Sequence, residues 1–369
     1  MIYFDHNATT PLNEEVLDAM LPFLQTFYGN PSSLYRTGRV VRSALAIARE
    51  QVASLVGVQP AQVVFTSGGT EANNLALKGI TPVRKIAISA IEHPSVLETA
   101  QSLIRKDVHV DTIPVNTEGL FNKQVIESLA KDDVEMVSLM LANNETGVIQ
   151  DVANIAGFLR KQDVVIHTDA VQALGKTPVD FNQLNVHLMS LSSHKIYGPK
   201  GCGALVFEQG LELHPILTGG GQEYGLRAGT ENVAAIVGFG CAAELAAKTL
   251  ASGQEKVLNL RKILESQLHA IPGVQIFSEH EQRLPNTVQF GLPGVDGEML
   301  LMQLDQKGIA VSSGSACSSN AGTASHVLIA MGVEQGLAKS AIRISLGQGN
   351  TEEEITTFVR TLKSLVSTP

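Results

Sequence analysis

The sequence is poor in cysteine, in aromatic residues and in charge. Its 369 residues include three cysteines, no tryptophan and 17% charged residues. An odd number of cysteines in so long a chain argues against a disulfide scaffold and indicates a reducing compartment. The net charge of −9 offers no basic surface to nucleic acid or to an anionic membrane.

The sequence also lacks long hydrophobic runs. No stretch approaches the roughly 18 apolar residues that a membrane span requires. The first residues lack the basic and apolar regions of a signal peptide, so we expect a cytoplasmic protein with no membrane partner. What is present is 44% hydrophobic residues, which is ordinary for a soluble enzyme, and a length that favours two domains.

A repeating pattern occupies the first half of the chain. Between Val63 and Phe207, apolar runs of strand length alternate with segments of helical periodicity. This alternation predicts an α/β fold with a doubly wound, mostly parallel sheet. Polar clusters follow the strands and contain Thr70, His93, Asn144, Asp169 and Lys195. Because ligands bind at the carboxyl edge of such sheets, these clusters predict one pocket.

The first cluster has the composition of an anion site. The strand Val63–Thr66 runs directly into Ser67–Asn74, which contains two glycines. Glycines admit a ligand close to the backbone, and Thr70 with free N–H groups at a helix start can bind a phosphate. The segment lacks the dinucleotide and nucleoside triphosphate signatures, so a single phosphate fits better. A helix cap without a ligand is the structural alternative.

Lys195 follows the apolar run Val186–Leu191 on a turn that Gly198 and Pro199 prevent from becoming a long helix. A lysine at a strand end can form a Schiff base with an aldehyde cofactor when its amine is partly desolvated. A surface lysine on a turn is the alternative.

The neighbouring clusters supply the other parts of a pyridoxal phosphate site. Asp169 could keep a pyridine nitrogen protonated, and Gln172 could bond the phenolic oxygen. His93 could stack on the ring face. Helix capping is the simpler alternative for both Asp169 and His93. Taken together, the phosphate site at Thr70, the lysine Lys195 and the acid Asp169 nevertheless favour pyridoxal phosphate over the simpler interpretations.

These residues belong to longer blocks that resemble the NifS/IscS-type cysteine desulfurases, a group of fold-type I pyridoxal phosphate enzymes in the class V aminotransferase family. The resemblance extends from Tyr3 to about Glu354. The most specific blocks are Thr66–Asn74, Glu92–Pro94, Ala142–Gly147, Asp169–Gln172, Ser193–Gly201, Arg227–Thr230 and Ser312–Cys317.

The resemblance implies a role for each matched residue. Lys195 would form the Schiff base, Asp169 would pair with the pyridine nitrogen and Gln172 with the phenolic oxygen. His93 would stack on the ring and handle protons. Asn144 and Arg343 would hold the substrate, with the planar guanidinium of Arg343 on its carboxylate. The residues implied for the phosphate are Gly69, Thr70, Ser192, His194 and, from the other subunit of a homodimer with shared active sites, Thr230.

Cys317 lies in a segment of small polar residues, Val311–His326, which can hardly form a core. A structural cysteine is usually buried among apolar residues, whereas Gly314 and Gly322 would let this segment move. A mobile thiol suits sulfur transfer. Cys202 and Cys241 are better interpreted as packing residues.

Two domains are expected. Residues 12–250 would form the large cofactor-binding domain. Residues 1–11 and 251–369 would form a smaller α+β domain that carries the catalytic loop at about 312–326. The short strands expected in it are Thr287–Phe290, Ile309–Ser312 and Ile342–Leu346.

The resemblance implies a desulfurase that converts L-cysteine to L-alanine and leaves a persulfide on Cys317. Sulfur acceptors such as iron–sulfur cluster scaffold proteins would be its partners, and no metal is expected. Two alternatives remain at this point. Another fold-type I enzyme, such as an aminotransferase or a cystine lyase, would not need Cys317. A non-catalytic protein with a degenerate site would not keep Lys195 and Asp169.

Overall fold

The computed structural model describes residues 1–129, 132–313 and 323–366. Its strands are β1 (Ile2–Tyr3), β2 (Val63–Thr66), β3 (Lys85–Ser89), β4 (His109–Ile113), β5 (Met136–Ser138), β6 (Val165–Asp169), β7 (Leu188–Ser192), β8 (Gly203–Phe207), β9 (Gln275–Ile276), β10 (Thr287–Gly291), β11 (Ile309–Ala310), β12 (Ser312–Ser313) and β13 (Ile342–Ser345). Its helices are α1 (Glu14–Gln25), α2 (Arg36–Leu55), α3 (Gly69–Gly79), α4 (Pro94–Ile104), α5 (Lys123–Leu129), α6 (Val152–Leu159), α7 (Phe181–Leu184), α8 (Val233–His269), α9 (Gly297–Gln306), α10 (His326–Ala330), α11 (Gln335–Lys339) and α12 (Glu352–Val366).

The central sheet has the strand order β2-β8-β7-β6-β5-β3-β4. The pairs from β7 to β4 are parallel, which confirms the predicted fold class. Strand β8 is antiparallel to both of its neighbours. Only the short connection 193–202 separates it from β7, whereas a parallel return needs a crossover of about a dozen residues or more.

Both faces of this sheet are buried. In β2, Val63 and Phe65 pack into one hydrophobic cluster, while Val64 between them packs into another. Successive side chains of a strand point to opposite faces, so a sheet covered by helices on both sides has nearly continuous apolar strands. This explains the uninterrupted apolar runs in the sequence.

A second sheet, with the order β12-β13-β10-β9, is antiparallel throughout. Its cluster includes Phe4, Leu264, Phe290 and Phe358. The segment predicted as one strand, residues 309–312, is divided between two sheets. Ile309 and Ala310 pair in parallel with β1, while Ser312 pairs with Arg343 of β13. This pairing holds the start of the chain against its second half.

Helix α8 is longer than the sequence pattern predicts. In the sequence, helical spacing of apolar residues predicts one helix over 231–251 and another over 257–268, but Val233–His269 is continuous. The pattern is interrupted because residues around Ser252 and Glu255 are exposed, not because the helix ends. The helix is long and apolar enough to cross a membrane by composition, but it packs against α1 and α2. The predicted domain boundary at 250 falls inside it, and the domain division stays a prediction.

Candidate active site

A cavity of about 290 Å³ lies at the carboxyl ends of β3, β6 and β7. The polar clusters that follow these strands converge there, as the sheet topology requires. The predicted site residues that line it are Gly69, Thr70, His93, Asn144, Asp169, Gln172, Ser192, His194, Lys195 and Arg343. Within the described ranges, Thr230 is the predicted site residue that does not line it, and Cys317 lies outside those ranges.

One end of the cavity is shaped for a phosphate. Helix α3 begins at Gly69, so Thr70 lies in its first turn. Gly68 has φ +153°, which side-chain-bearing residues rarely adopt, and a Cβ on Gly69 would come within 3.0 Å of Val171 Cγ2. The two glycines therefore keep the helix start accessible.

Ser192 and His194 complete this end. The Ser192 Oγ is buried and has no hydrogen-bond partner among the described residues, which leaves it for a ligand. The Nδ1 of His194 lies 3.2 Å from Thr9 Oγ1. Burial, and then the charges of Lys195, Lys200 and Lys176, lowers the pKa of His194 to about 4. A neutral imidazole there contributes a hydrogen bond without a full charge.

Asp169 is held as the last residue of β6. Its Oδ2 accepts a hydrogen bond from Asn73 Nδ2 at 2.7 Å, and its Oδ1 accepts one from the Val171 amide at 3.0 Å. Asn73 also donates to Ser95 Oγ at 2.8 Å. These donors fix the carboxylate in the cavity wall, where it can pair with a protonated pyridine nitrogen.

His93 both caps a helix and lines the cavity. Its Nδ1 accepts the Ser95 amide at 3.1 Å at the start of α4, which is the capping role that the sequence also allowed. Burial lowers the pKa of His93, and Lys195 adds to that effect, while Asp169 opposes it. Burial therefore favours the neutral imidazole. Because Nδ1 accepts a hydrogen bond, the neutral ring carries its proton on Nε2, where it can donate it.

Lys195 ends the short turn Ser193–Lys195 that follows β7. Its Nζ donates to the carbonyl oxygens of Ala8, at 2.7 Å, and of Asn7. The amine is thus held at the cavity by the segment that begins the chain. Both carbonyls are neutral acceptors, so these two contacts do not pair Lys195 with a carboxylate.

The opposite end of the cavity carries a buried arginine. Arg343 Nη2 lies 2.7 Å from Asp5 Oδ1, and its Nη1 donates to Asn144 O at 3.1 Å. Its Nε is buried without a hydrogen-bond partner in the described chain. The guanidinium is thus fixed on one side and offers a remaining donor for a carboxylate.

Asn7 is a site residue that the sequence analysis did not find. Its Nδ2 donates to Asn144 O at 3.1 Å and to Thr287 Oγ1 at 2.9 Å. Its carbonyl oxygen accepts from Lys195 and from Gln172 Nε2. In the sequence Asn7 is one polar residue in a loop. Long-range contacts, among them the β1–β11 pairing and the bridge between Asp5 and Ser345, bring that loop to the cavity, so no local signal could have identified it.

Thr230 lies away from the cavity on an exposed loop. It follows Gly229, whose φ is +102°. Two ion pairs fix the loop to helices α3 and α2. Arg227 Nε lies 2.9 Å from Glu71 Oε1, and Arg49 binds Glu223 through two hydrogen bonds of 2.6 and 2.7 Å. The loop therefore has a defined shape and presents Thr230 outward.

The two described cysteines lie apart from the cavity. Cys202 is buried in a hydrophobic cluster of the central sheet, and burial raises the pKa of its thiol. Cys241 is partly buried on α8, where burial also raises its pKa. Neither thiol is activated as a nucleophile, in line with their interpretation as packing residues.

Comparisons with known sequences agree on the family of this chain. The family described as "Aminotransferase class-V" matches residues 2–358. "Cysteine desulfurase IscS" of Dictyoglomus turgidum is 40% identical over 371 residues, which cover 99% of this chain and 94% of that protein. "Cysteine desulfurase NifS" of Azotobacter vinelandii is 40% identical over 372 residues, covering 99% and 92% of the two chains.

Solved structures agree with the sequences. A structure titled "NIFS-LIKE PROTEIN" superposes with a TM-score of 0.93 at 39% identity, covering 99% of both chains. "SspA in complex with cysteine" superposes with a TM-score of 0.83 at 31% identity and covers 95% of this chain and all of that one. The predicted resemblance and fold class are confirmed. The chain belongs to the class V aminotransferase family of pyridoxal phosphate-dependent enzymes, among the relatives of the NifS and IscS cysteine desulfurases.

Proposed function

We propose that this protein is a cysteine desulfurase that converts L-cysteine to L-alanine and leaves the sulfur as a persulfide on Cys317. The observation that carries the proposal is the convergence of Lys195, Asp169 and Arg343 in one cavity. A lysine and an acid suit the cofactor, while a buried arginine suits the carboxylate of an amino acid. The relatives named cysteine desulfurases narrow the amino acid to cysteine.

Residues at three points of the cavity would hold the cofactor. Thr70, Ser192 and the start of α3 would bind its phosphate, because they combine open N–H groups with a buried hydroxyl that needs a partner. Asp169 would face its ring nitrogen and Gln172 its phenolic oxygen. When bound, pyridoxal phosphate supplies an electron sink for the pair released as the substrate loses its α-proton.

Arg343 and Asn144 would orient the substrate. Arg343 binds the carboxylate, and its ion pair with Asp5 keeps the guanidinium plane fixed. Lys195 Nζ would take the α-proton of the substrate. His93, which lines the same cavity, would donate its Nε2 proton to the substrate.

The sulfur step needs a nucleophile that the described cavity does not supply. The Cys317 thiolate would attack the substrate sulfur, so that a new sulfur–sulfur bond forms as the substrate carbon–sulfur bond breaks. The bonding electrons remain on the substrate carbon, which is protonated to give alanine. Atoms and electrons balance without an external oxidant, because the sulfur is oxidised as the carbon is reduced.

The active enzyme would be a cytoplasmic homodimer. Thr230, presented outward on its fixed loop, would reach the phosphate site of the partner subunit. The supporting observation is a group of exposed apolar side chains in the segment 28–35, among them Leu34 at 81% and Tyr28 at 86% exposure. A groove lined by Pro31, Arg42 and Tyr224 joins this segment to the loop that carries Thr230. Sulfur acceptors such as iron–sulfur scaffold proteins would then receive the persulfide.

A Cys317→Ala variant tests the sulfur step. The other cavity residues are intact, so the variant should still bind cysteine, change the absorption of the bound cofactor and exchange the α-proton with deuterium from solvent. It should release alanine at least about a thousandfold more slowly and carry no persulfide, because a covalent step is removed. Alanine and protein-bound sulfur are assayed together after incubation with L-cysteine.

Cys241→Ala is the matched control, because it removes a thiol that lies outside the cavity, and it should keep the native rate of alanine release. Native alanine release by the Cys317→Ala variant would refute the proposal. The protein would then be an aminotransferase or a lyase on the same scaffold.

A further inference from the structure

Lys176 is a second lysine near the cavity that the proposed chemistry does not use. Its Nζ donates to Gln172 Oε1 at 2.6 Å and to Asn7 Oδ1 at 3.2 Å. Burial, and then the charges of Lys195 and Arg343, holds the pKa of Lys176 well below its usual value. In either protonation state the amine has at least two N–H bonds, which match these two oxygens.

The Gln172 side chain is bound from two opposite directions. Its oxygen accepts from Lys176, and its Nε2 donates to the Asn7 carbonyl at 2.9 Å. An amide side chain can rotate by 180° with little change in shape, so its partners decide which end is the donor. The Lys176 amine needs an acceptor and the Asn7 carbonyl needs a donor. Both therefore require the observed orientation, with Oε1 toward Lys176 and Nε2 toward Asn7.

That orientation has a chemical consequence. With one Nε2 hydrogen on Asn7 O, the second hydrogen of the same nitrogen is available to the cavity that Gln172 lines. An oxygen with negative charge needs a donor, and a rotated amide would present an acceptor instead. Of the two oxygens that Lys176 contacts, Asn7 Oδ1 also accepts from Asn286 Nδ2 at 2.9 Å and so does not depend on Lys176 alone. The contact of Lys176 with Gln172 Oε1 is the one that bears on the orientation of the Gln172 amide.

We propose that Lys176 is a positioning residue that keeps the Gln172 amide turned with its N–H groups toward the cofactor's phenolic oxygen. The inference rests on the role proposed above for Gln172. It assigns Lys176 no contact with substrate or cofactor. Its effect should therefore appear only through Gln172.

A double-mutant cycle on the holoenzyme tests this. The measured quantity is the midpoint of the pH titration of the bound cofactor's absorption band, which needs no turnover and no Cys317. Gln172→Leu removes the donor and should raise the midpoint by about one pH unit, since an oxygen without its donor holds a proton more tightly. Lys176→Met should raise it by roughly half as much, because the Asn7 carbonyl still restrains the amide.

The combination of the two changes is decisive. In the Gln172→Leu background, Lys176→Met should add no further shift, because its effect passes through the missing amide. Lys176→Arg, which keeps the N–H donors, should restore the native midpoint. Thermal unfolding of each variant checks that the fold is retained, and Lys176→Arg gives a result if Lys176→Met does not fold.

Three results would overturn the inference. If Lys176→Met leaves the midpoint unchanged while Gln172→Leu shifts it, Lys176 does not position the amide. If the two shifts add fully, Lys176 acts as a charge and not through Gln172. If Gln172→Leu itself has no effect, the role proposed for Gln172 fails as well, while the desulfurase activity remains to be judged by Cys317→Ala alone.

Discussion

Glu92 is a buried carboxyl beside the active site. It is fully buried, and its Oε1 accepts the Met140 amide at 2.7 Å. Burial first, and then the charge of Asp169, raises the pKa of Glu92 from 4.5 to about 8. Between these two values the folded protein holds a proton that the unfolded chain has released. Stability supplied by this group is therefore lost as the pH rises through that window.

Replacing Glu92 by Gln should remove this loss. Glutamine keeps the acceptor for Met140 but does not titrate. Relative to the native protein, the free energy of unfolding of the variant should rise between pH 5 and pH 8, by up to about 1.4 kcal/mol for each pH unit. Thermal unfolding across this range measures it. Glu50→Gln, at an exposed position, is the control. Parallel curves for the native protein and Glu92→Gln would contradict the prediction.

Individual residues differ in how far the sequence reveals them. Lys195 and Asp169 were predicted because each follows an apolar strand, and a strand end in a parallel sheet has one possible location. Asn7 was missed because its neighbours in space lie far away in sequence. Lys176 was missed because nothing in the sequence shows that its amine turns toward Gln172, four residues earlier. Asn7 contacts residues more than 130 positions away, and no local pattern encodes such a contact.

At the scale of elements, α8 connects the two hydrophobic clusters. Phe239 packs into the cluster of the central sheet, and Leu264 packs into that of the second sheet. Between them the helix is exposed around Ala251 and Ser252, so its continuity there depends on backbone hydrogen bonds more than on packing. This stretch should be sensitive to a residue that breaks a helix.

Ser252→Pro tests the continuity of α8. Proline removes a backbone hydrogen bond and collides with the preceding turn, at a cost of about 3 kcal/mol in a helix interior. The variant should unfold at lower denaturant concentration and in two steps, because the two clusters lose their rigid connection. Ser252→Ala, at the same exposed position, should stay within about 0.5 kcal/mol of the native stability. A single transition at the native midpoint for Ser252→Pro would show that α8 does not couple the clusters.

At the scale of the whole molecule, the proposed dimer makes separate predictions for the interface and for the shared site. Leu34→Asp places a charge on the exposed apolar group and should give a monomer by sedimentation. Met302→Asp, at a position of α9 that is 57% exposed, is the control and should remain dimeric.

Thr230→Ala should keep the dimer but retain the cofactor about tenfold less tightly, the loss expected of one hydrogen bond to a charged group. A monomer with full activity would refute the shared active site.

The sequence by itself determined the fold class, the family and most residues of the cavity. Apolar runs with polar ends need only the geometry of a parallel sheet to bring Thr70, His93 and Lys195 to one edge. Strand and helix periods are local properties, so they can be read without knowing the partners of each element. The sequence also marked Cys317 by its unusual polar surroundings, although its role stays a prediction.

Only the tertiary structure decided how the start of the chain completes the site. The pairing of β1 with β11 helps to place Asn7 among residues from both halves of the chain, and Arg343 meets Asp5 across 338 positions. It also decided that β8 is antiparallel and that α8 is continuous. These features depend on long-range contacts and on exposed stretches without apolar periodicity. The contacts that stabilise these features are made with partners that local sequence patterns do not identify.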